Sequence, residues 1–298
     1  MATIFYDKAP VQVEVGIYRE TMLATDCSIN FTSSQQPIYS VGKKGPLGQF
    51  PSAARVGDMS FSFLTSITGQ FDNIEGAGNQ SRQGNIINFL ANGVKRSTNS
   101  EISGATVQCA GVKGFGFLNS YSFSVSANSV STSSASFTMF GSGTQLPLSG
   151  RLTGVDGNVG IGTSVATGIA HGRFTTMPSA LRTQISSEGT APETATIYGA
   201  DYSISFNHSP LYKIGQEFPT TSFYTTASES LNITEDLFNS GLKFDEDAAS
   251  YTLEIKGLKE APANSMKVRI TSAKQINTSA SVGLDDIIRT QKTLTAAY

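Results

Sequence analysis

The sequence predicts a mainly β chain: two tandem, similar β-sandwich or barrel domains, each with a short flanking helix. Three observations predict it. Most patterned segments alternate apolar with small or polar residues at period 2, the mark of half-buried antiparallel strands. Helical patterning is confined to two short stretches. The chain also resembles itself, with several segments recurring in the same order at domain-sized spacing, too long for a solenoid.

The repeats define the elements in order. Asp26-Cys-Ser-Ile-Asn-Phe31 returns 175 residues later as Asp201-Tyr-Ser-Ile-Ser-Phe206, with four identities in six. Pro37-Ile-Tyr-Ser-Val-Gly42 returns as Pro210-Leu-Tyr-Lys-Ile-Gly215. Met59-Ser-Phe-Ser-Phe63 puts three apolar side chains on one face and Ser60 and Ser62 on the other. Asn85–Ala91 reads as a helix of two or three turns ending near Gly93. Thr106–Lys113 matches Thr252–Lys259 at a spacing of 146, which leaves 29 extra residues (175 against 146) in the first copy. At the same 146, Asn119-Ser120 matches Asn264-Ser265, and Ser126-Ala127…Val130…Thr132-Ser133 matches Ser272-Ala273…Ile276…Thr278-Ser279. Tyr121–Ser126 alternates strictly, with Ser122 and Ser124 on its polar face, and a turn follows it before Phe137. Thr234–Gly241 reads as the second helix, with Thr234 as N-cap, acids in the first turn and Gly241 as terminator. Met266–Ile270 alternates again, with Lys267 and Arg269 outward. The resulting division is a first domain over 1–146, a connector with linking strands over 147–192, and a second domain over 193–298.

Composition sets outer bounds. A chain of 298 residues fits two domains or one large all-β domain. At 39% apolar residues it can bury a core. Twenty-one basic against 23 acidic residues exclude a strongly electrostatic nucleic-acid binder. Two distant cysteines make neither a disulfide framework nor a zinc site. The opening residues lack a signal peptide's basic and apolar regions, and no run reaches the ~20 apolar residues a membrane helix needs. The expectation is folding in a cytoplasm with both thiols reduced.

No catalytic or cofactor constellation emerges. Cys27 and Cys109 match Tyr202 and Ile255 in the other copy, so each reads as a buried structural thiol. His171 and His208, the only imidazoles, stand far apart in loop-like sequence without a ligand partner at metal spacing. Gly154–Gly162 lacks the Gly-Lys-Ser/Thr ending of a phosphate loop and reads as connector. The Asn-x-Ser/Thr triplets at Asn30, Asn207, Asn232 and Asn277 carry no weight without secretion. Asp245-Glu-Asp247 has no calcium-loop spacing and reads as a solvated turn. No cofactor and no metal are expected, and the chain reads as a non-enzyme.

What remains is surface. Each copy follows its Tyr-x-[Val/Ile]-Gly element with a Gly/Pro loop: Gly42–Val56, with Lys43, Lys44, Phe50 and Arg55, and Gly215–Ser222, with Gln216, Glu217 and Phe218. Phe50 and Phe218 each precede a proline. Two readings stay open for them: an exposed aromatic that marks a protein contact, or a ring folded back on its own core.

The strand with Pro-[Ile/Leu]-Tyr-x-[Val/Ile]-Gly, the Gly/Pro loop, Met-Ser-Phe-Ser-Phe, and the later Asn-Ser-Tyr-Ser-Phe-Ser-Val with Ser-Ala-Ser-Phe resemble structural proteins of tailed-bacteriophage tails, above all the tail tube family. The resemblance covers most of both copies and rests on strand patterning and turn residues. It implies small β-barrels with a flanking helix, inner strands joined around a ring to line a channel, and a long hairpin loop docking on the adjacent ring. On that reading Lys43, Lys44, Phe50, Arg55, Gln216, Glu217 and Phe218 make subunit or ring-stacking contacts. Ser60, Ser62, Ser122 and Ser124 face a lumen through which DNA passes without specific binding. The partners implied are further copies of the chain, in stacked trimer or hexamer rings, and other tail proteins, with no membrane. The place implied is the virion tail, assembled in the host cytoplasm. The duplication departs from a single-domain tube subunit, since three chains would supply six equivalent positions. A baseplate hub protein is the nearest alternative. A two-domain carbohydrate- or receptor-binding module is the second, with the absence of Trp counting against sugar stacking.

Overall fold

The computed structural model describes residues 11–16, 18–22, 24–51, 54–65, 86–96, 104–126, 131–141, 146–150, 180–186, 193–214, 216, 218–219, 221–236, 249–256, 265–281 and 289–297. The chain is mainly β. Its strands are β1 (Val11–Val15), β2 (Tyr18–Met22), β3 (Ala24–Thr32), β4 (Gln35–Tyr39), β5 (Pro46–Pro51) and β6 (Val56–Leu64), followed by helix α1 (Ile86–Arg96). Then come β7 (Ala105–Cys109), β8 (Val112–Ser126), β9 (Thr132–Met139), β10 (Leu148–Gly150), β11 (Ala180–Ser186) and β12 (Glu193–Leu211). The last four are β13 (Thr221–Asp236), β14 (Ala249–Lys256), β15 (Ser265–Ser281) and β16 (Arg289–Ala297). Among the described residues fourteen strands form one antiparallel sheet, while β4 and β5 pair only with each other.

Two runs of strands are paired in the same order. The first is β3–β6–β9–β8–β7–β1–β2, and the second is β12–β13–β16–β15–β14–β11. The second run closes on itself, because Glu193–Thr196 of β12 pair with β11 while residues from Ile197 onward pair with β13. In the first run β2 and β3 divide that role between them. Such closure pairs much of the sheet's edge, which would otherwise be a site of unwanted pairing.

The ladders also show which residues correspond. Asp26 faces Ser62, which faces Ser134, which faces Ser122. Asp201 faces Asn232, which faces Thr293, which faces Asn277. Ser122 thus corresponds to Asn277, 155 residues on, which corrects the expected spacing of 146 for this strand. The matches of Asn119-Ser120 with Asn264-Ser265 and of Ser126 with Ser272 are out of register. Eight of the nine residues come from one turn, and the ninth from a bulge at Ile276, which β15 inserts between Gln275 and Asn277. Cys109 pairs with Val112 across two residues, whereas Ile255 pairs with Met266 across ten. The short turn, Ala110-Gly111, has positive φ at both positions (48° and 83°), as a tight hairpin of right-handed twist requires.

The core is one cluster that runs through both runs. In the first, Phe61, Phe63, Phe123 and Phe137 are buried, with Phe61 and Phe137 stacked at 6.1 Å. In the second, Tyr202, Ile204, Phe206, Leu231, Ile233 and Leu294 are buried. All of them are the apolar members of alternating strands, whose other members form the opposite face.

Helix α1 extends further than expected, through Gly93 to Arg96, and the basic pair Lys95-Arg96 suits a helix C-terminus. It packs on β8 and buries Ile86, Ile87, Leu90 and Ala91. Its first N–H, that of Ile86, donates to Glu20 Oε2 of β2 at 2.5 Å. The second expected helix does not begin at Thr234: residues 234–236 belong to β13. Leu231 and Ile233 continue the inward alternation, and β13 is bonded to β12 on one side and β16 on the other. Two ladders outweigh a single threonine cap, which is worth about 1 kcal/mol. Residues 237–241 lie outside the described residues, as do Gly154–Gly162, His171 and Asp245–Asp247.

Candidate assembly surfaces

The polar members of the alternating strands share one face. Across six strands Ser28, Ser60, Ser136, Ser120, Ser205 and Ser228 stand opposite one another in a single row. The next row runs Asp26, Ser62, Ser134, Ser122, Ser203, Ser230 and Thr295. Neighbouring hydroxyls satisfy one another: Ser120 with Ser136, Ser122 with Ser134, and Ser205 with Ser228, each at 2.7 Å. An open depression of about 830 Å³ lies on this face, lined by Ser120, Ser122, Ser203, Ser205, Ser228 and Ser230 among others. Ser60 and Ser124 are exposed, and Ser62 and Ser122 are half-buried. All four serines singled out from the sequence therefore lie on this face.

A seam inside the sheet joins the two runs. The first part of β8 pairs with β7, and its last part, Ser120–Ser126, pairs with Gly199–Ser205 of β12. Ser124 Oγ donates to Asp201 Oδ1 across the seam at 2.6 Å. Beside the seam, Tyr224 donates its hydroxyl to the Leu118 carbonyl at 2.7 Å, and its ring lies 4.3 Å from that of His208. His208 was expected in a loop; it sits instead in β12, where the ladder to β13 continues past Phe206. Burial pushes its pKa down to about 4, an effect the nearby Leu118 carbonyl offsets only in part. Burial likewise raises the pKa of Tyr224.

Two arms leave the sheet after β3 and at the end of β12. The first is the β4–β5 hairpin, so the expected loop after Gly42 is in part a strand. Lys43 and Lys44 are exposed at its turn. Phe50 stands opposite Gln36 on β5, and its side chain lies outside the described residues. Arg55, just before β6, is half-buried. On the second arm Gln216 is exposed, Phe218 is half-buried and Glu217 lies outside the described residues. The exposed apolar groups are others. Ile38, Tyr39 and Val41 protrude from the first arm, and Leu211, Tyr212 and Ile214 from the second, with Val41 and Ile214 wholly exposed. These are the matched positions of the Pro-[Ile/Leu]-Tyr-x-[Val/Ile]-Gly element itself.

The two cysteines are also brought together. Cys27 of β3 and Cys109 of β7 hydrogen-bond thiol to thiol inside the first run. That bond, with burial adding to it, raises the Cys27 pKa, and the same bond lowers that of Cys109. Cys109 is buried as expected, and Cys27 is half-buried. Among the described residues no three His, Cys, Asp or Glu side chains gather as a metal site.

Set against known proteins, the chain matches no family model and no curated sequence.

Proposed function

We propose that this chain is a non-enzymatic structural protein of a bacteriophage tail, whose copies join into rings and stack into a tube that DNA traverses. The observation that carries this reading is the row of six serines in register through six strands. A face of small hydroxyls already bonded to one another offers a polyanion few free donors. Asp26, Asp58 and Asp201 are exposed on the same face and repel phosphate. The two apolar arms suit contacts between successive rings, and the repeated strand order suits a ring of pseudo-equivalent units. A baseplate hub would use the same surfaces in a single ring.

Negative-stain electron microscopy of the purified protein at micromolar concentration tests the reading. Rings with an open centre, or tubes built from them, are the expected result. Tubes favour the tail tube, and isolated rings favour the hub. A strictly monomeric particle at high concentration would sink both.

A further inference from the structure

Strands β3 and β12 are matched residue for residue, yet they are covered differently. The inward row of β12 is sealed: Tyr202 is 1% exposed, Ile204 1% and Phe206 2%. The matching row of β3 is not. Cys27 and Ile29 are half-buried, and Phe31 is 46% exposed. The difference has a visible source. β12 lies between β13 and β8, while β3 pairs with β6 alone among the described residues. The other end of the sheet shows the complementary gap. The last part of β8 holds β9 on one edge and β12 on the other. The corresponding part of β15, Lys274–Ser281, holds β16 on one edge and, among the described residues, nothing on the other. An edge strand with a half-covered apolar row is a liability unless it is paired.

We propose that β3 of one chain is completed by the free edge of β15 in a second copy, in the register that the chain already uses between its own β12 and β8. This rests on the assembly reading above and adds which edges meet and which residues face one another. The internal seam sets Gly199 opposite Ser126, Asp201 opposite Ser124 and Ser203 opposite Ser122. Carried through the ladder correspondences, it sets Asp26 opposite Ser279 and Ser28 opposite Asn277. The polar chemistry is kept. Where Ser124 donates to Asp201, Ser279 donates to Asp26, and both of these are exposed in the single chain. The hydroxyl rows then run on from one copy into the next. The two edges are unlike, so the contact is head to tail and repeats until a ring closes.

A charge exchange tests the seam. Ser279→Asp sets two carboxylates face to face and is expected to raise the half-assembly concentration about tenfold or more. Asp26 also accepts the Ser62 N–H at 3.2 Å, so Asp26→Ser is measured alone as a baseline. The exchanged double variant, Asp26→Ser with Ser279→Asp, restores one carboxylate facing one hydroxyl and should assemble at least as well as Asp26→Ser. Sedimentation velocity reads assembly, and thermal melting of dilute protein confirms folding. Ser279→Asp that assembles like the native chain overturns the register while leaving the assembly reading standing. So does a double variant as defective as Ser279→Asp alone. A native chain that never assembles overturns both.

Discussion

The first and second runs of strands share a pairing order but fill it differently, and the contrast shows what pairing order requires and what it leaves free. Position by position, Cys27 stands where the second run has Tyr202, and Met59 stands where it has Glu229. The first run fills the space with paired thiols and stacked phenylalanines. The second buries a carboxylate, Glu229, and meets it with the Tyr202 hydroxyl at 2.6 Å. The alternation, the turns and the ladder are common to both. The chemistry of the inward positions is not, provided that each polar group brought inside finds a partner.

The largest expected effect breaks the contrast at its most unequal point. Phe206→Ala empties a buried site and should cost about 3–5 kcal/mol, whereas Phe31→Ala, at the matching position of β3, should stay within about 1 kcal/mol in dilute protein. Urea unfolding midpoints with unchanged slope measure both. Equal losses would mean that β3 is already sealed within the single chain.

Next in size is the buried carboxylate. Tyr202→Phe removes a hydrogen bond to Glu229 and should cost about 1.5–3 kcal/mol. Combining it with Glu229→Met, the residue of the first run, should recover most of that loss, because both polar partners then leave together. A double-mutant cycle reads the coupling, and a cycle with none would remove the Tyr202–Glu229 bond from the account.

Much of this was legible in the sequence, for physical reasons that differ by element. Period-2 alternation exposed the faces of β6 and β8, and the inward Val268 and Ile270 of β15, because burial acts residue by residue along a strand. The Asp26 and Asp201 segments revealed the correspondence of β3 with β12, since both must present the same faces. The eight-residue difference between the connections Cys109–Val112 and Ile255–Met266 was invisible, because Ser-rich strands match one another at several registers. The second helix failed because Thr234 followed by two acids is a cap only where no ladder competes. The neighbourhood of Cys27 and Cys109, and the burial of His208, depend on contacts distant in sequence and left no local trace.

Two titrating groups give the contrast a pH signature, one in each run. Burial raises Glu20, which accepts the first N–H of α1, to a pKa of about 7 from an ordinary 4.5. Its share of stability is therefore complete below about pH 4.5 and is lost as pH rises through 7. His208, lowered to about 4 from 6.5, acts in the opposite direction: its share is present above pH 6.5 and is lost as pH falls through 4. Neither slope exceeds about 1.4 kcal/mol per pH unit. Melting temperatures from pH 4 to 8 should show Glu20→Gln flattening the decline toward neutral pH, and His208→Gln flattening the decline toward acid. Should either variant leave the profile unchanged, burial of that group is not the source of the slope.

The smallest effect on stability belongs to the arms, and its smallness is the point. Val41 and Ile214 are wholly exposed at matched positions, so neither contributes apolar burial to the single chain. Val41→Asp and Ile214→Asp should each change the unfolding free energy by no more than about 0.5 kcal/mol. An exposed apolar tip repeated at both arms has a physical use only in contact with another surface. On the proposed reading, in which sheet edges close a ring and arms join successive rings, the same substitutions should shorten or abolish tubes in electron micrographs while leaving single rings intact. Loss of rings together with tubes would show that the arms bind sideways within a ring, and the division of labour between sheet edge and arm would then have to be redrawn.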